Sequence, residues 1–226
     1  MEDWTILLIF GVFFVLFFGV VIVGVISTLV FALYYQNLKR RKVGPEWRRA
    51  AEKLGLDIES QSLGAPRLQG RVNNVPIEVF TKVTMIGPES SDRPVWAMMH
   101  KHELRTYYTT KLHPSWDGVT FTQNDVQSGM VLDALGMKDY PTGDPEFDEA
   151  IRIRGNVSHQ LASLLAEHRI RQAILKLADE FLLFQISGGT LLVQITGAGN
   201  SSGELIHHIN SVTEAAAILN GARAHR

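Results

Sequence analysis

The sequence predicts an α+β protein: a single N-terminal transmembrane helix followed by one cytoplasmic domain of antiparallel hairpins and helices. Three observations lead there. An uncharged apolar run opens the chain of 226 residues, four basic residues follow it, and beyond them turn signals between strand-like segments alternate with helical stripes. The boundary falls after residue 42. Residues 1–42 read as the anchor with its basic juxtamembrane cluster, and 43–226 as the α+β domain.

No Asp, Glu, Lys, Arg or His occurs between Asp3 and Lys39, and Trp4–Tyr35 is almost purely Ile, Leu, Val and Phe. A span needs about 20 apolar residues. This run has 32, a helix of about 48 Å against a hydrocarbon core of about 30 Å. Tilt alone does not hide that excess, so the helix is expected to project beyond the core or to pack against copies of itself. Trp4, Tyr34 and Tyr35 stand where interfacial aromatics belong. A cleaved signal peptide fits poorly, because Glu2 and Asp3 make the start acidic and the apolar core is too long.

Lys39, Arg40, Arg41 and Lys42 fix the direction. Positive residues stay in the cytoplasm, which puts the N-terminus outside and the domain inside a single-pass protein of the cell inner membrane. The same four residues can hold anionic lipid head groups. Gly24, Thr28 and Ala32 recur every four residues and share one helix face, the spacing at which membrane helices approach closely.

The domain reads element by element. Trp47, Ala50, Ala51 and Leu54 form a helical stripe stopped by Gly55. Arg67–Val72 and Val75–Val83 flank Asn73-Asn74, a two-residue hairpin turn. Ile86–Pro94 is rich in Gly, Pro, Ser and Asp and reads as a loop. Trp96 to Leu112 alternates, with Trp96, Met98, Leu104, Tyr108 and Leu112 on the apolar side, as in a half-buried strand. Val119–Thr122 is a short strand, 125–137 a helix, Asp139–Glu149 an acidic turn region and Ala150–Arg154 a strand. Helices follow at Ser158–Leu165 and Glu167–Glu180, the second with Ile170, Ile174, Leu177 and Phe181 inward. Gly188-Gly189 joins a second hairpin, Phe181–Ile186 with Leu191–Ile195. Ser201-x-x-Glu204 reads as a capping box opening the last helix, which buries Leu205, Ile209, Val212, Ala216 and Leu219 and ends at Asn220-Gly221.

One stretch is familiar. Gly143-Asp144-Pro145-Glu146-Phe147-Asp148, then Ile151-Arg152-Ile153-Arg154-Gly155, a leucine-rich helix pair, a hairpin and a terminal helix stand in order. Trp47, Ala50, Leu54, Gly55 and Leu56 precede them. With these motifs the span Pro114–Leu219 resembles a group of uncharacterised bacterial membrane-anchored proteins with a GDPxFD-type acidic turn. The resemblance implies a cytoplasmic domain on a membrane helix and brings no activity with it.

Composition removes several chemistries. The chain has no cysteine, so disulfides, thiolate nucleophiles and zinc ribbons are excluded. All 22 Lys and Arg, and all but two of the 23 acids, lie from Lys39 onward. That near-neutral balance does not suit a general polyanion binder, and nucleic acid is not an expected partner. His100 and His102 share a strand face and could grip one metal, although further ligands must come from elsewhere; the bland reading is two polar residues at a rim. Asp144, Glu146 and Asp148 could hold Ca²⁺ or Mg²⁺, yet Gly-Asp-Pro is also plain turn chemistry. Gly197-Ala198-Gly199-Asn200 before a helix could take phosphate without matching a nucleotide fingerprint. Arg152, Arg154, Arg169 and Arg171 read as solvated surface.

No catalytic residue and no cofactor is assigned. The expected function is a membrane-anchored, non-enzymatic interaction or scaffold module, self-associating through its helix. Its partners are membrane lipids and a second copy or another membrane protein. The alternatives are a membrane-tethered metal-dependent enzyme using His100 and His102, and a small accessory subunit of a larger membrane complex.

Overall fold

The chain divides into two units, Met1–Lys42 and Val43–Arg226. The structure, a computed structural model, describes Phe18, Gly19, Val21, Ile22 and Ile26 of the first unit, and residues 44–59, 66–86, 101–124 and 139–221 of the second. The five residues of the first unit are helical. Among the described residues no helix is long and apolar enough to cross a membrane. The rest of the expected span lies outside them, with Gly24, Thr28, Ala32 and the cluster Lys39–Lys42.

In the second unit helix α1 covers residues 44–54. Then come β1 (Asp57–Glu59), β2 (Arg67–Val72), β3 (Val75–Ile86), β4 (Lys101–Lys111), a 3₁₀ turn at Pro114–Trp116 and β5 (Val119–Gln123). Helix α2 (Pro145–Ala150), β6 (Ile151–Gly155), α3 (His159–Ala166), α4 (His168–Glu180), β7 (Leu183–Ser187), β8 (Thr190–Thr196) and α5 (Ser202–Leu219) follow. The eight strands make one sheet in the order β1-β2-β3-β4-β8-β7-β5-β6, and every neighbouring pair is antiparallel. The α+β class is therefore correct for the domain.

Strand alternation places the core. Tyr108 of β4 lies opposite Val79 of β3 and Val193 of β8, so the three share one face of the sheet. Continuing across the sheet, that face carries Phe184, Ile186, Phe121 and Ile153, all buried. Trp47, Leu161, Ile170, Ile174, Leu177, Leu205, Ile209 and Val212 from the helices complete the same hydrophobic cluster. The α4 stripe read from the sequence is the buried one.

Both expected hairpin turns are present. Asn73 and Asn74 take φ of 51° and 67°, and Gly188 and Gly189 take 53° and 62°, the left-handed pair that matches strand twist across a two-residue loop. β3 runs on to Ile86, past the expected end at Val83. The expected helix over 125–137 and the start of the alternating strand, Trp96 to His100, lie outside the described residues.

Two local expectations need correction. The acidic turn contains a helix: Asp144 is the N-cap of α2, accepting a hydrogen bond from Phe147 N–H at 3.4 Å, and Pro145 opens the first turn. Gly-Asp-Pro serves a helix start as readily as a turn, since proline lacks only an N–H that is unpaired there anyway. The second correction is the capping box. Ser201 makes no side-chain cap bond. Instead Glu46 of α1 reaches across, and its Oε2 accepts from Ser202 N–H at 3.1 Å.

Candidate functional site

Among the described residues of the domain, three polar clusters stand out. The first surrounds the acidic turn. Asp148 accepts from Thr142 N–H at 2.9 Å, Thr142 Oγ1 at 2.7 Å and Gly143 N–H at 3.1 Å. Asp144 Oδ2 takes Arg171 Nε at 2.7 Å, and Arg171 Nη1 also donates to the carbonyls of Leu165 and Ala166 at 2.6 and 3.0 Å. Those carbonyls close α3, so one guanidinium ties the end of α3 to the start of α2. The solvated-surface reading of Arg171 is thus incorrect; its side chain is 14% exposed.

The hydrogen bond from Arg171, and then Phe147 N–H, holds the Asp144 carboxyl below its ordinary value of 3.8. A carboxylate stabilised in the fold binds protons less readily there than in the unfolded chain. Its contribution is complete above that ordinary value and is lost as pH falls through the lower folded one. Replacing Arg171 by alanine removes three hydrogen bonds and leaves the α3 carbonyls open, an expected loss of about 1–3 kcal/mol. Denaturant unfolding at neutral pH measures it, and the variant should also lose part of the wild-type decline in acid.

Arg152 and Arg154 are likewise tied into the fold. Asp139 carboxylate oxygens lie 3.3 Å from Arg152 Nη1 and 2.8 Å from Arg154 Nε, and Arg152 Nε donates to Asn124 Oδ1 at 2.6 Å. Arg169 stays on the surface, half-exposed and paired with Glu167 at 2.8 Å. Of the three turn carboxylates Glu146 is the exposed one. It borders a groove of about 580 Å³ between α2, α4 and the end of β5. Two of the amides there are occupied: Gln123 bonds Phe181 O and Phe184 N–H as well as Ala178 O, and Asn124 Nδ2 bonds Glu149 O. Among the described residues no three His, Asp or Glu converge as cation ligands.

The second cluster joins α1 to α5. Trp47 is fully buried, and its indole N–H donates to Ala198 O at 2.7 Å and Gly199 O at 3.2 Å. Glu46 caps α5 next to it, and the Ser202 backbone N–H holds the Glu46 carboxyl below its ordinary value. The Gly-rich segment considered for phosphate is filled by the chain itself. Its carbonyls hold a tryptophan, and a carboxylate stands at the helix start where an anion would bind.

The third cluster was not visible in the sequence. His207 and His208 of α5, Tyr108 of β4, and Glu180 and Phe181 at the end of α4 meet where the two helices cross the sheet. Tyr108 Oη lies 3.3 Å from His208 Nδ1, and the two rings meet edge-on at 5.6 Å. Ser211 Oγ donates to Glu180 Oε2 at 2.9 Å, and His207 Nε2 stands 3.2 Å from Glu180 Oε1. Burial above all, and then the charges of Glu204 and Glu180, push the Tyr108 hydroxyl far above its ordinary range. Burial lowers the His208 pKa from its ordinary 6.5, against the pull of Glu180 and Glu204. The one sequence signal was a histidine doublet beside the inward stripe of the last helix. Its partners lie elsewhere, Tyr108 a hundred residues away in β4 and Glu180 at the end of α4.

His102 has its backbone in β4; its imidazole and the whole of His100 lie outside what the structure describes. No protein-family model matches this chain, and no curated protein matches it significantly.

Proposed function

We propose that this chain is a membrane-anchored, non-enzymatic interaction or scaffold module at the inner face of a bacterial membrane. The carrying observation is in the first unit. Phe18, Val21, Ile22 and Ile26 are 47%, 44%, 54% and 56% exposed, and their spacing of three and four residues places them along one helix face. An exposed row of large apolar side chains within a 32-residue apolar run calls for a bilayer or another apolar helix around it. The domain adds support, since among its described residues the polar groups of each cluster bond mostly within that cluster.

Lys39–Lys42 set the domain on the cytoplasmic side and contact anionic head groups. By sequence spacing, Gly24, Thr28 and Ala32 recur every four residues, a small-residue face for a second copy. Light scattering of the detergent-solubilised protein tests this, with a Gly24→Ile, Thr28→Ile variant alongside. A defined oligomer that dissociates in the variant is expected. A monomer in both removes self-association, and a stoichiometric metal lost in His100→Ala replaces the scaffold by a metal-dependent enzyme.

A further inference from the structure

We propose that the His208–Tyr108 contact is an acid-sensitive joint, at which protonation of His208 unseats the first turns of α5 from β4 and from the end of α4. This does not rest on the membrane reading. It starts from the hydroxyl of Tyr108, a side chain with no solvent exposure. Among the described residues its one hydrogen-bond partner is His208 Nδ1, at 3.3 Å. A buried O–H needs an acceptor, so the satisfied arrangement leaves Nδ1 bare, and Tyr108 donates to it.

A proton on Nδ1 removes that acceptor. The imidazolium then points an N–H at the phenol, whose own hydrogen loses its one acceptor among the described residues. A half-buried charge and an orphaned hydroxyl arise in one step, and both favour opening. Every titratable group facing the imidazole bears on the balance. From α5 itself these are Glu204 and His207, from α4 Glu180, and from β4 Tyr108. Glu204 and Glu180 attract the proton; Glu180 Oε2 already accepts from Ser211 Oγ, while its Oε1, buried without a hydrogen bond among the described residues, stands 3.2 Å from His207 Nε2. Burial opposes the proton and outweighs the two carboxylates.

The sign follows. In the opened state His208 titrates at its ordinary value, and in the closed state lower, so the open form binds more protons as pH falls below 6.5. Above that pH the joint is closed and indifferent to acid. The same turns of α5 carry the Ser202 N–H that Glu46 holds, so opening reaches α1.

Hydrogen exchange of the full chain in detergent, at pH 7.5 and 5.5 and corrected for intrinsic rates, tests the joint. Amides 205–213 should open more readily at the lower pH, by up to about tenfold per unit below 6.5, the limit for one linked proton. His208→Gln should abolish the difference. In parallel, the His208 imidazole followed by NMR should titrate below 6.5, and Tyr108→Phe should move its midpoint upward. Equal acid loosening in His208→Gln, or a wild-type midpoint at 6.5 or above, would overturn the proposal.

Discussion

Trp47→Ala is expected to destabilise the domain by about 3–5 kcal/mol, the range for emptying a buried aromatic site. Domains of this kind are stable by only about 5–15 kcal/mol in all. Two effects add. The indole fills a core position between α1 and the α5 approach, and its N–H satisfies Ala198 O and Gly199 O. Trp47→Phe separates them, since it keeps most of the ring and loses only the donor; its expected cost is about 1–3 kcal/mol. Thermal or denaturant unfolding of the solubilised chain gives both numbers. If α1 is integral to the fold, the alanine variant melts far below wild type. If it melts within a degree or two, α1 is a dispensable tether and the α1–α5 junction has been misjudged.

Gly155→Ala is the second large effect, about 2–4 kcal/mol from backbone strain and displacement together. Gly155 ends β6 at φ +112°, and a methyl there would stand 2.3 Å from Gly118 O and 3.0 Å from Val119 Cα. Both obstacles are backbone, and Val119 is its register partner in β5, so nothing can rotate out of the way. β6 would have to slide or lift off the sheet. Gly55→Ala is the control. It has a left-handed φ of +67° with nothing within 4 Å, and its expected cost is the conformational penalty alone, about 1–2 kcal/mol. Comparable losses in both variants would contradict the steric account of Gly155.

Local signals carried the sequence a long way, and long-range partners mark where they stopped. The hairpins around Asn73-Asn74 and Gly188-Gly189 need only four or five residues to declare themselves, and the α4 stripe only one period. The neighbours β4-β8, β7-β5 and β5-β6 depend on pairings that no window contains. The capping box failed for a similar reason. Ser201 and Glu204 satisfy the pattern, yet Ser201 makes no cap bond, and the helix start is held instead at the Ser202 N–H by Glu46, 156 residues away. Arg171 lies outside the inward stripe of α4 and looked solvated until Asp144, 27 residues earlier, was brought against it. The acidic turn was misread because helix starts and tight turns use the same residues. Tyr108 was legible as core, but its hydroxyl and the histidine beneath it became a pair only through folding.

The central claim is an integral anchor with the domain inside. Membranes bearing the full chain with a C-terminal epitope test it most directly, washed with alkaline carbonate and then treated with protease as right-side-out spheroplasts or as inverted vesicles. The account predicts that the chain stays in the pellet, that the epitope survives in spheroplasts, and that it is digested in inverted vesicles. Release by carbonate, or digestion of the epitope in spheroplasts, would contradict it.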